Sequence, residues 1–185
     1  THEKENLHFP LWSPDGKTIA VTRSGNDRAG PLLLVAVDGS GTRAVPPPVA
    51  DGILTPEDWS PDGKSLLALA EDEAGFHRLF LLDPATGKGR FFGPKGWSIE
   101  DPSWVEDGII FSRNEAGASA LYRMKTPDAP VERLTPVAGR IDQFDLDESG
   151  RYALLVWSDS THAQDVWRLD LKTLKRVQIT HSMLA

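Results

Sequence analysis

The sequence predicts an all-β chain built from four copies of one four-stranded antiparallel sheet. Three observations predict it: a short motif returns at a regular interval, similar short apolar stretches follow each copy, and turn residues separate those stretches. Trp12-Ser13-Pro14-Asp15-Gly16-Lys17 reappears unchanged as Trp59-Ser60-Pro61-Asp62-Gly63-Lys64. Trp104-Val105-Glu106-Asp107-Gly108 is a partial third copy, and Leu146-Asp147-Glu148-Ser149-Gly150-Arg151 a weaker fourth. The anchors at 12, 59, 104 and 146 stand 47, 45 and 42 residues apart. Periods of about 40–50 residues are those of β-propeller blades.

Each repeat reads in the same order. A first stretch leads into the anchor, with Pro10 and Pro102 two residues before Trp12 and Trp104, and Pro56 three before Trp59. The anchor indole is expected to be a large buried contact between blades. In the turn that follows, Pro presets φ, Asp accepts bonds from local backbone N–H groups, and Gly tolerates positive φ. A second apolar stretch comes next, as Thr18–Val21, Leu66–Leu69, Ile109–Phe111 and Tyr152–Val156. After a polar loop a third follows, as Leu32–Val37, Leu79–Leu82, Ala120–Tyr122 and Val166–Leu169. A final short stretch closes the repeat, as Arg43–Val45, Arg90–Phe92, Arg133–Thr135 and Gln178–Thr180. Short apolar runs bounded by Gly, Pro and Asp turns are strand signals, and no 3.6-residue period persists over 11 residues. Blades are expected at about 7–46, 54–92, 99–135 and 141–180, as one propeller unit over 1–185.

Composition narrows the function. The net charge of −7 argues against nucleic acid, whose binding proteins neutralise phosphates with a basic footprint, and against an anionic membrane surface. The absence of Cys excludes disulfides, thiolate zinc sites and a cysteine nucleophile. No apolar run approaches the ~20 residues of a spanning helix. A soluble protein of the cytoplasm or periplasm is expected. The chain opens on Thr1 without an initiator Met, so a processed chain or a piece of a longer one is expected.

The string Pro10 to Ala20, Pro-Leu-Trp-Ser-Pro-Asp-Gly-Lys-Thr-Ile-Ala, resembles the TolB-like, WD-like propeller repeat, and Arg133-Leu134-Thr135 matches its end. The resemblance covers essentially the whole chain. The fourth copy departs from it, with Leu146 for Trp and Glu148 for Pro. Such repeats build TolB-type propellers and the amino-terminal propellers of the prolyl oligopeptidase and acylaminoacyl-peptidase family. In those peptidases the propeller is non-catalytic and restricts access to a separate α/β-hydrolase domain. The segment Asp165–Thr173 looks like the peptidase type. The resemblance and the ends of the chain lead us to expect a segment of a larger propeller. The rival is a four-bladed propeller closed on itself.

Candidate chemistry is sparse. No Gly-x-Ser-x-Gly nucleophile elbow occurs, and Gly39-Ser40-Gly41 reads as a hairpin turn. His2, His8, His77, His162 and His181 show no zinc-motif spacing. No catalytic, cofactor or metal residue is therefore assigned. The expected structural anchors are Trp12, Pro14, Asp15, Gly16, Trp59, Pro61, Asp62, Gly63, Trp104, Asp107, Gly108, Leu146 and Gly150. Asp27, Glu71, Asp72, Glu73, Glu115 and Asp159 occupy equivalent loops after the second strand. They predict either an acidic face that attracts a cationic partner or polar loop tips in water. Glu57, Asp58, Glu100, Asp101, Asp142 and Asp145 lie on the first strands, where a propeller enzyme would carry a central site.

Three functional classes follow. One is a binding module for protein or peptide, one a gating propeller beside a peptidase domain, and one a propeller enzyme with a central-channel site. No cofactor is implied.

Overall fold

The computed structural model describes residues 6–25, 28–136, 139–147 and 149–182. Every helix or strand element among them is a strand, and sixteen strands form four antiparallel four-stranded sheets. The first contains β1 (Asn6–Trp12), β2 (Thr18–Gly25), β3 (Arg28–Ala36) and β4 (Thr42–Val45) in sequence order. The second contains β5 (Leu54–Trp59), β6 (Leu66–Glu71), β7 (His77–Leu82) and β8 (Gly89–Phe91). The third contains β9 (Ile99–Val105), β10 (Gly108–Glu115), β11 (Ala118–Met124) and β12 (Glu132–Arg133), and the fourth β13 (Arg140–Leu146), β14 (Tyr152–Ser158), β15 (Asp165–Asp170) and β16 (Arg176–Gln178). Each sheet is a meander, as short turns between consecutive apolar stretches require. The fourth strand of each sheet has two to four residues. Edges this short offer little template for further pairing.

The chain packs as two compact units, Thr1–Trp104 and Val105–Ala185. In the first, Ala20, Leu32, Leu34 and Val45 of the first sheet pack against Leu54, Trp59, Leu66, Phe80 and Leu82 of the second. Full burial of one such large side chain contributes about 1.5–3 kcal/mol. A buried polar bond crosses between these sheets, from Thr22 Oγ1–H to the Leu54 carbonyl at 3.2 Å. In the second unit, Ile110, Leu121 and Leu134 meet Phe144, Leu155, Trp157 and Trp167. The Ser119 hydroxyl plays the bridging part there, donating to the Ile141 carbonyl at 3.2 Å and accepting from the Ile141 N–H at 2.5 Å.

Burial along the second strands differs. Leu66 to Ala70 of β6 are all buried, so both faces of that strand are covered. β14 alternates, with Ala153, Leu155 and Trp157 buried and Leu154 exposed. The expectation of a buried anchor needs correction at Trp12, which is 58% exposed while Trp59 is 5% exposed. Trp59 belongs to the core that the first and second sheets share, whereas Trp12 does not.

Candidate functional site

The repeated turns are built by one ring of hydrogen bonds. The Ser13 hydroxyl donates to Asp15 Oδ1 at 2.7 Å and accepts from the Thr18 N–H at 2.9 Å, while Asp15 accepts from the Lys17 N–H at 3.0 Å. Ser60, Asp62, Lys64 and Ser65 repeat this with distances within 0.1 Å. Gly16 and Gly63 both sit at φ 69°, a conformation that any side chain resists. Pro14 and Pro61 are exposed on these turns. The fourth turn keeps the ring with two residues exchanged. Asp147 stands where Ser13 does and accepts from the Tyr152 N–H at 2.7 Å, and Ser149 stands where Asp15 does and donates to Asp147 at 2.5 Å. Its Gly150, at φ 66°, packs on Val105; Glu148 lies outside the described residues. These serine bonds hold the carboxyls of Asp15, Asp62 and Asp147 below the usual range. In the third turn Asp107 pairs with Arg123 at 3.2 Å, and Gly108 leaves no room for a Cβ, which would stand 2.3 Å from the Met124 carbonyl oxygen. Trp104 and Leu146 are half-buried.

Three of the loop acids are engaged with nearby donors. Asp72 accepts from the Ala74 and Phe76 N–H groups at 2.9 and 3.1 Å and lies 3.8 Å from the buried Arg78 guanidinium. Glu115 takes Arg113 at 2.5 Å and the Tyr122 hydroxyl. Asp159 accepts from the Thr161 and His162 N–H groups and lies 2.9 Å from His162 Nδ1. The local backbone bonds come first among the causes that hold its carboxyl well below the ordinary range. Glu71 ends β6 and Glu73 is exposed. Asp27 falls outside the described residues.

The first-strand acids divide. Glu57, Asp58, Glu100 and Asp101 all belong to the first unit. Glu57 occupies a β-bulge between Pro56 and Asp58, and bulges re-aim side chains. It lines a cavity of about 270 Å³ with Phe9, Thr55, His77, Glu100 and Asp101. Burial pushes the Glu57 carboxyl up to about 7; the Thr55 hydroxyl, donating at 2.9 Å, opposes the rise and the Asp101 charge adds to it. Asp101 itself sits at φ 49°. Burial also raises Asp58, but that carboxylate is occupied: it accepts from the Trp59 and Trp104 N–H groups, both at 2.8 Å, and from the Ser103 hydroxyl at 3.1 Å. It ties β5 to β9. In the second unit Asp142 pairs with Arg140 at 2.5 Å and accepts from Gln164, and Asp145 caps the Leu146 N–H. The sequence offered all six acids alike, and only folding buries Glu57 and Asp58 and raises their carboxyls.

A cluster that sequence reasoning left unassembled lies in the fourth sheet. The Arg176 guanidinium stacks over Trp157 at 4.1 Å and Trp167 at 4.8 Å, and the His162 ring lies 5.6 Å from Trp157. Trp157 is buried, so it is a packing residue. Cross-strand pairing brings these groups together across three strands.

No family model matches the chain. The chain is 34% identical over 77 residues to the uncharacterized peptidase YuxL of Bacillus subtilis, covering 40% of this chain and 11% of that protein. Its fold matches TolB from Acinetobacter baumannii with a TM-score of 0.75 at 22% identity, over 97% of this chain and 45% of that one. The four sheets are β-propeller blades. A puromycin-hydrolyzing peptidase of Mycobacterium tuberculosis matches with a TM-score of 0.83 at 14% identity, over 97% of these blades and 30% of that chain. A puromycin hydrolase matches with a TM-score of 0.77 at 20% identity, over 94% and 28%. The blades thus span less than half the length of each of these proteins. No helix among the described residues is long and apolar enough to cross a membrane.

Proposed function

We propose that these blades are a non-catalytic module, part of a larger propeller, that binds protein or peptide or gates access to a neighbouring domain. The observation that carries this reading is the pairing of near-complete coverage of this chain with 28–45% coverage of the TolB and the two puromycin-hydrolysing chains. The match to a curated peptidase favours an α/β-hydrolase domain as that neighbour. In this reading the partners are further blades, the hydrolase and a peptide substrate, with no nucleic acid or membrane. The test uses chromogenic aminoacyl and peptide substrates with the 185-residue chain and with its full-length parent. The blades alone are expected to hydrolyse none, and the parent is expected to lose its preference for short peptides when the blades are removed. Hydrolysis by the blades alone refutes the reading.

A second reading has one observation in its favour. Glu57 titrates near neutrality beside Asp101 in a cavity, as a general acid or base must. It requires activity in the blades that Glu57→Gln abolishes.

A further inference from the structure

A cavity of about 500 Å³ opens between the first and second sheets, within the first unit, and shares no residue with that of Glu57. Register explains it. On the face that meets the second sheet, Ala20, Leu34 and Arg43 stand side by side across β2, β3 and β4. Nearer the first turn, Thr18 pairs with Ala36, whose N–H donates to the Gly41 carbonyl. Side chains this small leave open a gap that Leu32, Leu34 and Val45 close elsewhere in the contact. Trp59 of β5 and the Pro84–Ala85 turn supply the wall from the second sheet. The volume lies in the range of small-molecule sites.

The polar groups of this cavity are not all paired. Trp59 is buried, and its Nε1–H has no acceptor among the described residues. Buried donors are nearly always bonded, so one left alone beside a cavity calls for an acceptor from outside. Arg43 adds further donors. Its Nη1 donates to the Ala85 carbonyl and, at 3.3 Å, to that of Pro84, while Nε and Nη2 remain as donors. The neighbouring Asp83 carboxylate is taken up by the Ala85 N–H and the Thr86 hydroxyl, both at 2.8 Å. Asp15 also lines the cavity, and it accepts from Ser13 and Lys17 at Oδ1, which leaves Oδ2 as an acceptor. One guanidinium, one carboxylate, an unpaired indole N–H and the apolar Leu34 thus share one space.

We propose that this cavity binds a short zwitterionic peptide, its carboxylate held by Arg43 and the Trp59 N–H and its ammonium by Asp15. Guanidinium–carboxylate pairing is among the strong hydrogen-bonded contacts. A cation and an anion on the walls of one cavity select a ligand that carries both charges over one that carries either. All the lining residues belong to one unit, so the site needs neither a hydrolase domain nor further blades.

The test follows the indole N–H signals of the isotope-labelled 185-residue chain by NMR. The Trp59 signal is the one lost in Trp59→Phe. The probes are the dipeptide Ala-Ala, its N-acetyl form without the ammonium, and its C-terminal amide without the carboxylate. Ala-Ala is expected to shift the Trp59 signal saturably with a Kd of about 1 mM, near what so few atoms can give. Each single-charge probe is expected to bind about 10–100-fold more weakly, as is Ala-Ala to Arg43→Gln, through loss of one charged contact. Circular dichroism checks that the variant is folded; if it is not, the three probes on the wild type decide alone. No saturable shift of the Trp59 signal at about 20 mM Ala-Ala overturns the proposal. So do three probes of equal affinity, or a folded Arg43→Gln chain that binds Ala-Ala as tightly as the wild type. None of these outcomes alters the reading of the blades as a non-catalytic module.

Discussion

Replacing Glu57 by Gln isolates the energy stored in one half-buried carboxyl. Burial raises that carboxyl from 4.5 in the free side chain to about 7. At 1.36 kcal/mol for each tenfold change in proton affinity, the full effect is about 3 kcal/mol. Glu57 keeps some contact with water, which screens part of it and leaves about 2 kcal/mol. The sign follows from linkage. A carboxyl raised in the folded state binds more protons there, so its contribution is fully present below pH 4.5 and is lost as the pH rises through about 7. Gln has no charge to desolvate, and its amide oxygen can accept the Thr55 hydroxyl as Glu57 Oε1 does now. Denaturant unfolding of wild type and Glu57→Gln from pH 4 to pH 9 measures the difference. The two curves should coincide near pH 4, diverge between pH 4.5 and 7, and run parallel above pH 8. There the variant should be more stable by about 2 kcal/mol, or about 4–8 °C in Tm for a chain of this size. Constant separation across the range, or a less stable variant at pH 8, refutes the account of Glu57 as a desolvated carboxyl.

Two further outcomes follow from the turns and anchors. Trp59→Ala should cost about 3–5 kcal/mol, the loss of a fully packed aromatic, whereas Trp12→Ala, measured by the same unfolding in dilute solution, should cost under about 1 kcal/mol because its indole is largely in water. In the fourth turn, Asp147→Ser alone should lower Tm, and Asp147→Ser with Ser149→Asp should recover it by rebuilding the ring of Ser13 and Asp15; a double variant no better than the single one disproves the exchange of roles.

The blades were legible because turn chemistry is local. Trp-Ser-Pro-Asp-Gly-Lys contains the side-chain acceptors and the positive-φ position that its turn uses, and the one donor outside it is the next backbone N–H, so it identifies itself wherever it occurs. The fourth turn was only half legible, since no residue-by-residue comparison shows that Asp147 and Ser149 exchange parts in an unchanged bond pattern. The acidic loops were legible as positions but not as chemistry: Asp72 and Asp159 turn to neighbouring N–H groups, and side-chain direction is not written in spacing. Glu57 was one acid among 27 in the sequence. A bulge and the burial around it made it distinct, and both depend on strands far apart in the chain.

By itself the sequence determined the number of repeats, the strand order within each sheet and the all-β class, because short turns joining short apolar runs leave a meander as the economical pairing. The tertiary structure alone decided which anchor is buried. Trp12 and Trp59 stand in identical hexapeptides, yet one indole lies in water and the other in a core. Burial belongs to the neighbouring sheet that covers a residue, and no residue carries its own cover.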